Sequence, residues 1–239
     1  MGGMTATVQL ARSVPKTVDA VGVPVATTGA VPRSLGLGRA ALAALGFEGK
    51  PGQTFVVPAA NGPAQIAVGI GAPGALDVNG LRNAAAALVR AAGKRATIAT
   101  TLADLAPDAM KGVDATRAAQ AVAEGALLAG YRYAGIKKEP NTSALRTFTI
   151  VVGEARSKGA AVGVERGTIT ANAAILARDL ANTPPAHLTA VDIANKAVAL
   201  AGEAGLAVEV FNRDQLTAMG CGGMVGVNKG SVEPPRMVR

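Results

Sequence analysis

Few residues of this 239-residue chain could do chemistry, and their spacing restricts what they could do together. His187 is the only histidine, which rules out a multi-histidine metal site; as a general base it would have to act from just beyond the Pro184-Pro185 pair. The 16 acidic residues contain no D-x-D or E-x-E pair and no H-E-x-x-H helix. Asp104 and Asp108 are the nearest acidic neighbours, but Pro107 and the loop composition around it read as a surface turn. Cys221 lies among Gly220, Gly222 and Gly223 as the sole thiol, so neither an internal disulfide nor a cysteine zinc site is available. Without a cation or helix N-terminus to lower its pKa, it reads as a buried, inert thiol. Ser231 follows Gly230 with no partner base and reads as a turn former. Gly69-Ile70-Gly71-Ala72-Pro73-Gly74 matches the dinucleotide pattern G-x-G-x-x-G. There the glycines must open a helix so that its amides meet a pyrophosphate, yet Pro73 intervenes and Asp77 marks the helix start. Gly93-Lys94-Arg95 also stands where an acidic side chain would take the ribose, so the stretch predicts a glycine-rich strand-to-helix turn.

The elements that would position such residues alternate along the first two thirds of the chain. Val18 to Val25, Thr54 to Val57, Ile66 to Ile70, Ala96 to Thr101 and Thr147 to Val152 are short, apolar and rich in β-branched residues, which predicts strands. Arg39 to Leu45, Asp77 to Ala92 and Asp114 to about Tyr131 are Ala-rich and predict helices. Strand and helix in alternation predict an α/β layer with a largely parallel or mixed sheet. A longer helix is predicted from about 159 to 181, with Val162, Ile169, Ala173, Leu176 and Leu180 as its apolar face. Thr183-Pro184-Pro185 ends it, since the residue before a proline is pushed out of the helical region. Thr189 with Asp192 three positions on predicts the next N-terminus, Ile193, Ala197 and Leu200 its buried stripe, and Gly205 its end. Leu206 to Val210 then predicts a strand, Arg213 to Met219 a short helix, and Met224 to Val227 a strand entering a loop. Gly153, Ser157, Lys158 and Gly159 interrupt the apolar pattern, which places a domain boundary near 153 to 160.

Composition narrows the function classes. Hydrophobic residues make up 49% of the chain, enough for a core, but with 4 Phe, 2 Tyr and no Trp that core must be Ala, Val, Leu and Ile. A stacking platform for single-stranded nucleic acid is therefore almost excluded. A formal charge of +8 would suit phosphate neutralisation, but the 24 basic residues are scattered, with short doublets only at Lys94-Arg95 and Lys137-Lys138. The N-terminus shows no secretion signal, and no run of about 18 uncharged apolar residues suggests a membrane span. The single cysteine fits a reducing cytoplasm.

The last quarter carries the most specific pattern. Arg178-Asp179-Leu180-Ala181-Asn182-Thr183-Pro184-Pro185, the His187-Leu188-Thr189 helix start, the Leu206-to-Val210 segment and Gly222-to-Arg236 resemble, in order, the entrance to the catalytic domain of the leucine aminopeptidases. A Val68-Gly69-Ile70-Gly71 turn and Tyr131-Arg132-Tyr133 are similar to that family's N-terminal domain. The resemblance implies a macro-like mixed-sheet α/β domain over 1–155, a connecting helix over 156–182, and the beginning of an α/β metallopeptidase domain over 183–239. It also implies an enzyme that removes N-terminal residues from peptides with two divalent ions (Mn, Zn or Mg), works in the cytoplasm, and assembles as a homo-hexamer, a dimer of trimers. In such enzymes a metal-bridged water is the nucleophile, and lysine and arginine stabilise the oxyanion. The family's ligands and catalytic residues lie downstream of the matched segments. No catalytic, cofactor-binding or metal-binding residue is therefore assigned within 1–239, and the chain alone is expected to be inactive. A DNA-binding or regulatory α/β module is the alternative reading, and an ADP-ribose module a weaker one by fold analogy.

Overall fold

The computed structural model describes residues 6–59, 61–105, 110, 112–136, 138 and 142–239. Along the chain run β1 (Thr7–Ala11), β2 (Ala20–Ala26), α1 (Arg39–Ala44), β3 (Thr54–Val57), β4 (Ala64–Gly71), α2 (Val78–Ala92), β5 (Thr97–Thr100), α3 (Ala115–Gly130), β6 (Thr147–Val151) and α4 (Glu154–Asn182). They are followed by α5 (Ala190–Ala204), β7 (Val210–Phe211), α6 (Arg213–Ala218), α7 (Gly222–Val227) and β8 (Met237–Val238). Two compact units result, 1–178 and 179–239.

In the first unit six strands form one mixed sheet in the order β1-β6-β5-β2-β4-β3, parallel throughout except for the antiparallel β3 at its edge. This is the mixed α/β layer that the alternating pattern predicts. The sequence pattern misses β1: Thr7–Ala11 is half polar and finds its partner, β6, about 140 residues away. Helices α2 and α3 cover one face over a core that includes Ile66, Leu81, Leu88, Phe148 and Ile150. The opposite face packs a smaller cluster, Val21, Val23, Val25, Leu35, Leu42 and Phe47, beneath α1 and the turn before it. Asp77 and Asp114 cap α2 and α3, each carboxylate accepting a backbone N–H three residues on at 2.7 Å.

Helix α4 corrects one expectation. Val162 and Ile169, read as part of its apolar face, are 41% and 62% exposed, while its buried residues are Ala160, Gly163, Gly167 and Ala171. The reason is steric: a Cβ on Gly163 would lie 2.2 Å from the Thr116 carbonyl oxygen of α3, and one on Gly167 2.7 Å from that of Gln120. The backbones of α3 and α4 approach so closely that only small residues fit between them, and the larger apolar side chains are turned away. A polar cluster fastens the same contact. Glu124 on α3, 7% exposed, accepts from Arg82 Nε of α2 at 2.8 Å, Gln120 Nε2 at 2.9 Å and Thr170 Oγ1 of α4 at 2.7 Å. Burial pushes its carboxyl pKa up, but the hydrogen bonds from Gln120, Thr170 and Arg82, with the Arg82 charge, outweigh burial and hold it below the ordinary value.

The second unit is built from short elements fixed by caps. Thr189 and Asp192 form the predicted capping box at the start of α5, and Gly205, at φ 67°, closes that helix. The stripe expected to be buried is not: Ile193 and Leu200 are exposed, and Ala194 and Ala201 are its buried residues. Asn212 and Gln215 form a second capping box on α6. Two strand expectations are corrected. Met224 to Val227 lies within helix α7, where Val225 N–H donates to the Cys221 carbonyl at 3.2 Å, so its backbone is satisfied locally. The strand read over Leu206 to Val210 is displaced to Val210–Phe211, because pairing is set by β8, with Val210 opposite Val238 and Phe211 opposite Met237.

Candidate functional site

The segments singled out in the last quarter are held by their own backbone. Thr183 N–H donates to the Asp179 and Leu180 carbonyls at 3.1 and 3.3 Å, and its hydroxyl donates to Asp179 O at 2.7 Å, so α4 ends at Asn182 as the prolines require. Pro184 is extended (φ −60°, ψ 150°), and Pro185–His187 makes a single 3-10 turn closed by His187 N–H to Pro184 O at 2.8 Å. His187 is exposed at the end of that turn. The Thr189 hydroxyl and backbone N–H both donate to Asp192 Oδ2, at 2.7 and 2.8 Å, which holds that carboxyl below its usual pKa range.

The second segment turns on Asn228. Its Oδ1 accepts from the Arg213 guanidinium and its Nδ2 donates to the Glu233 carbonyl at 2.9 Å, clasping the loop from both sides. Ser231 Oγ accepts from Glu233 N–H at 3.1 Å, so this serine shapes the turn as read from sequence. Beyond the loop, Arg239 pairs with the Glu209 carboxylate and lies 5.6 Å from the Phe211 ring centroid, joining the ends of the two-strand pair. Sequence reading missed this clasp: Arg213 and Asn228 are 15 residues apart in different elements, and nothing in their local pattern links them.

Elsewhere each candidate occupies a structural position. The amides of Gly69 and Gly71, which a dinucleotide would need, donate instead to Gln53 O and Gly49 O at 2.9 Å, and α2 starts only at Val78. Asp104 Oδ1 accepts from Gly153 N–H at 3.1 Å; Asp108 and Lys137 lie outside the described residues. Cys221 is half-buried at the start of α7, with its backbone N–H bonded to Leu216 O at 2.9 Å. Arg178, the first residue of the most specific segment, lies 5.6 Å from the Tyr131 ring centroid and donates to Leu128 O at 3.3 Å, fastening α4 to the end of α3. Among the described residues no three His, Cys, Asp or Glu side chains come together as a metal-binding group. Among them, too, no helix is long and apolar enough to cross a membrane.

Comparison with known proteins gives these segments a context. Residues 25–140 match the model of the cytosol aminopeptidase family, N-terminal domain, and residues 175–239 match that family's catalytic domain. A curated relative from Mycobacterium marinum, named "Probable cytosol aminopeptidase", is 38% identical over 178 residues, covering 73% of this chain and 32% of the relative. One of the same name from Rhodococcus erythropolis is 35% identical over 206 residues, covering 83% of this chain and 38% of the relative. The chain thus spans about a third of the length of these curated relatives. Among solved structures, the bottromycin maturation enzyme BotP superposes with a TM-score of 0.77 at 36% identity, covering 93% of this chain and 45% of that one. BotP has also been solved in complex with Mn. A tomato leucine aminopeptidase mutant superposes with a TM-score of 0.77 over 98% of this chain and 50% of that one; at 18% identity it speaks for the fold.

Proposed function

Because this chain belongs to the cytosol aminopeptidase family, we propose that it is the N-terminal portion of a dinuclear-metal leucyl aminopeptidase, a hydrolase that removes N-terminal residues from peptides. One observation carries this reading: the N-terminal-domain and catalytic-domain models of a single family match in order along one chain, at 25–140 and 175–239. In this reading 1–155 is an accessory α/β layer of macro-like type, 156–182 a connecting helix, and 183–239 the beginning of the catalytic domain. The activity belongs to the longer protein, of whose relatives this chain spans about a third.

The residues in hand do not fit a metal centre. His187 is the only histidine and Cys221 the only cysteine, and the described residues hold no cluster of three ligand-type side chains. The two divalent ions would be held by residues of the longer protein. Manganese is the first ion to try, since BotP has been solved with it, followed by zinc and magnesium. Assembly as a dimer of trimers and a cytoplasmic location belong to the same proposal. The exposed Val162 and Ile169 on α4 offer apolar area for a subunit contact.

The test is to express the full-length protein and this 239-residue chain in parallel and assay each with a leucine chromogenic substrate, with manganese and with chelator. Metal-dependent release by the full-length protein and none by the chain is expected. A full-length protein inactive with manganese, zinc and magnesium alike would refute the reading.

A further inference from the structure

At the end of the sheet where β5 and β6 begin, the C-termini of α2 and α3 and the segment before β6 enclose a cleft of about 180 Å³. Arg90, Lys94, Arg95 and Arg132 line it together with the hydroxyl side chains of Thr142 and Ser143, over an apolar floor that includes Ile98 and Leu145. No carboxylate lines it among the described residues. We infer that this cleft binds the phosphate group of a small phosphate or diphosphate ligand.

The charge balance supports an anion. Two helix C-termini face the cleft, and each is equivalent to about half a negative charge. Their carbonyls are already engaged: Arg95 Nη1 donates to Ala92 O at 3.0 Å, and Arg132 Nη1 donates to Ala129 O at 3.1 Å and Tyr131 O at 2.7 Å. A guanidinium has five N–H donors, so both arginines keep donors for a ligand. Asp19 lies near enough to Arg95 to feel its charge, but its carboxylate is bound by the Ala96 and Thr97 amides at 2.8 Å. Among the described residues, four cations, less two half-charges and this neighbour, leave about two positive charges. Among the described residues Arg90 and Lys94 make no side-chain hydrogen bond or ion pair, unlike Arg82, which is spent on Glu124. The Ser143 hydroxyl accepts from Leu145 N–H at 3.2 Å and keeps its own proton to donate.

Size selects within the class of anions. The cleft is smaller than the roughly 300–1,000 Å³ of sites that enclose a drug-sized ligand. It therefore suits a compact dianion held by guanidinium forks and a serine hydroxyl, with whatever carries the phosphate left outside. A nucleic-acid backbone would present the same group, but would need cations continuing beyond the cleft.

The test is calorimetry on the full chain with inorganic phosphate, diphosphate and a 20-base-pair duplex, each at constant ionic strength in chloride. Saturable diphosphate binding is expected, weakened at least tenfold in the Arg90→Ala/Lys94→Ala double variant. An Arg12→Ala control, whose guanidinium pairs with Glu154 outside the cleft, should be unchanged. Amide chemical-shift mapping on the unmodified chain should place the ligand at Gly93, Lys94 and Ser143, a readout that does not depend on any variant folding. Absence of saturable diphosphate binding, binding indifferent to the double variant, or tight duplex binding without diphosphate binding would each overturn the inference.

Discussion

If α4 is held against α3 by backbone proximity rather than by an apolar stripe, Gly163→Ala should destabilise the protein even though alanine is the better helix former. The local gain in helix propensity is about 1 kcal/mol. Against it, the new Cβ would sit 2.2 Å from the Thr116 carbonyl oxygen, 3.0 Å from the Ala119 Cβ and 3.0 Å from the Gln120 nitrogen, two of the three being backbone atoms that cannot rotate away. Relief requires α4 to lift by about 1 Å, and a gap of that size already forfeits a quarter to a half of each contact's dispersion well. Strain and lost contacts of this kind cost about 1–3 kcal/mol in overpacked cores, and the same shift would stretch the 2.7 Å Thr170–Glu124 bond, worth about another 1.5–3 kcal/mol because the acceptor is charged. The net expectation is a loss of about 1.5–5 kcal/mol after the propensity gain, or a fall in Tm of roughly 3–20 °C at 2–4 °C per kcal/mol for a domain of this size. The assay is thermal unfolding followed by circular dichroism across a graded series. Gly167→Ala, with its nearest contact at 2.7 Å, should lose less, and Gly159→Ala, with 3.2 Å to a side-chain methyl, should be near neutral. Gly202→Ala in α5, where nothing lies within 4 Å, should gain stability in its own unit. A Gly163→Ala protein as stable as the parent, or a series that fails to follow the contact distances, would refute the close-approach reasoning.

Three further outcomes follow from particular contacts. Glu124→Gln should destabilise by about 1–3 kcal/mol by leaving Arg82 without its carboxylate, as read by urea unfolding. The pH dependence of that difference has a definite sign. The folded-state pKa of Glu124 lies below its ordinary 4.5, so its stabilisation is fully present above that value and disappears as pH falls through the folded pKa; the gap between parent and Glu124→Gln midpoints should close between neutral pH and the acid range, and a gap that widened on acidification would contradict the pairing. Thr189→Ala should weaken α5 by about 1 kcal/mol, with Thr189→Ser close to neutral, measured as hydrogen exchange of the Asp192 and Ile193 amides.

Much of the first unit was legible because its elements are decided locally. Asp77, Asp114 and Thr189 announce helix starts by side-chain chemistry three residues long, and the β-branched runs from Thr54 and Thr147 begin where β3 and β6 begin. What was not legible depends on partners far along the chain. Whether Val162 and Ile169 or Gly163 and Gly167 face inward is decided by α3, and a stripe of four small residues carries no hydrophobic period to reveal it. Gly222 to Val227 fails as well: its Gly-and-valine composition reads as strand, yet it forms a helix whose backbone is satisfied locally, Val225 N–H donating to Cys221 O. The same division governs function. The segments that place the chain in its family are short and local, so they could be read directly, whereas the Glu124 cluster and the cationic cleft each draw side chains from three separate parts of the chain. Lys94-Arg95, read from sequence as one scattered doublet, comes beside Arg90 and Arg132 because α2 and α3 end at the same cleft. A charge pattern that looks dispersed along a chain can therefore be concentrated by topology.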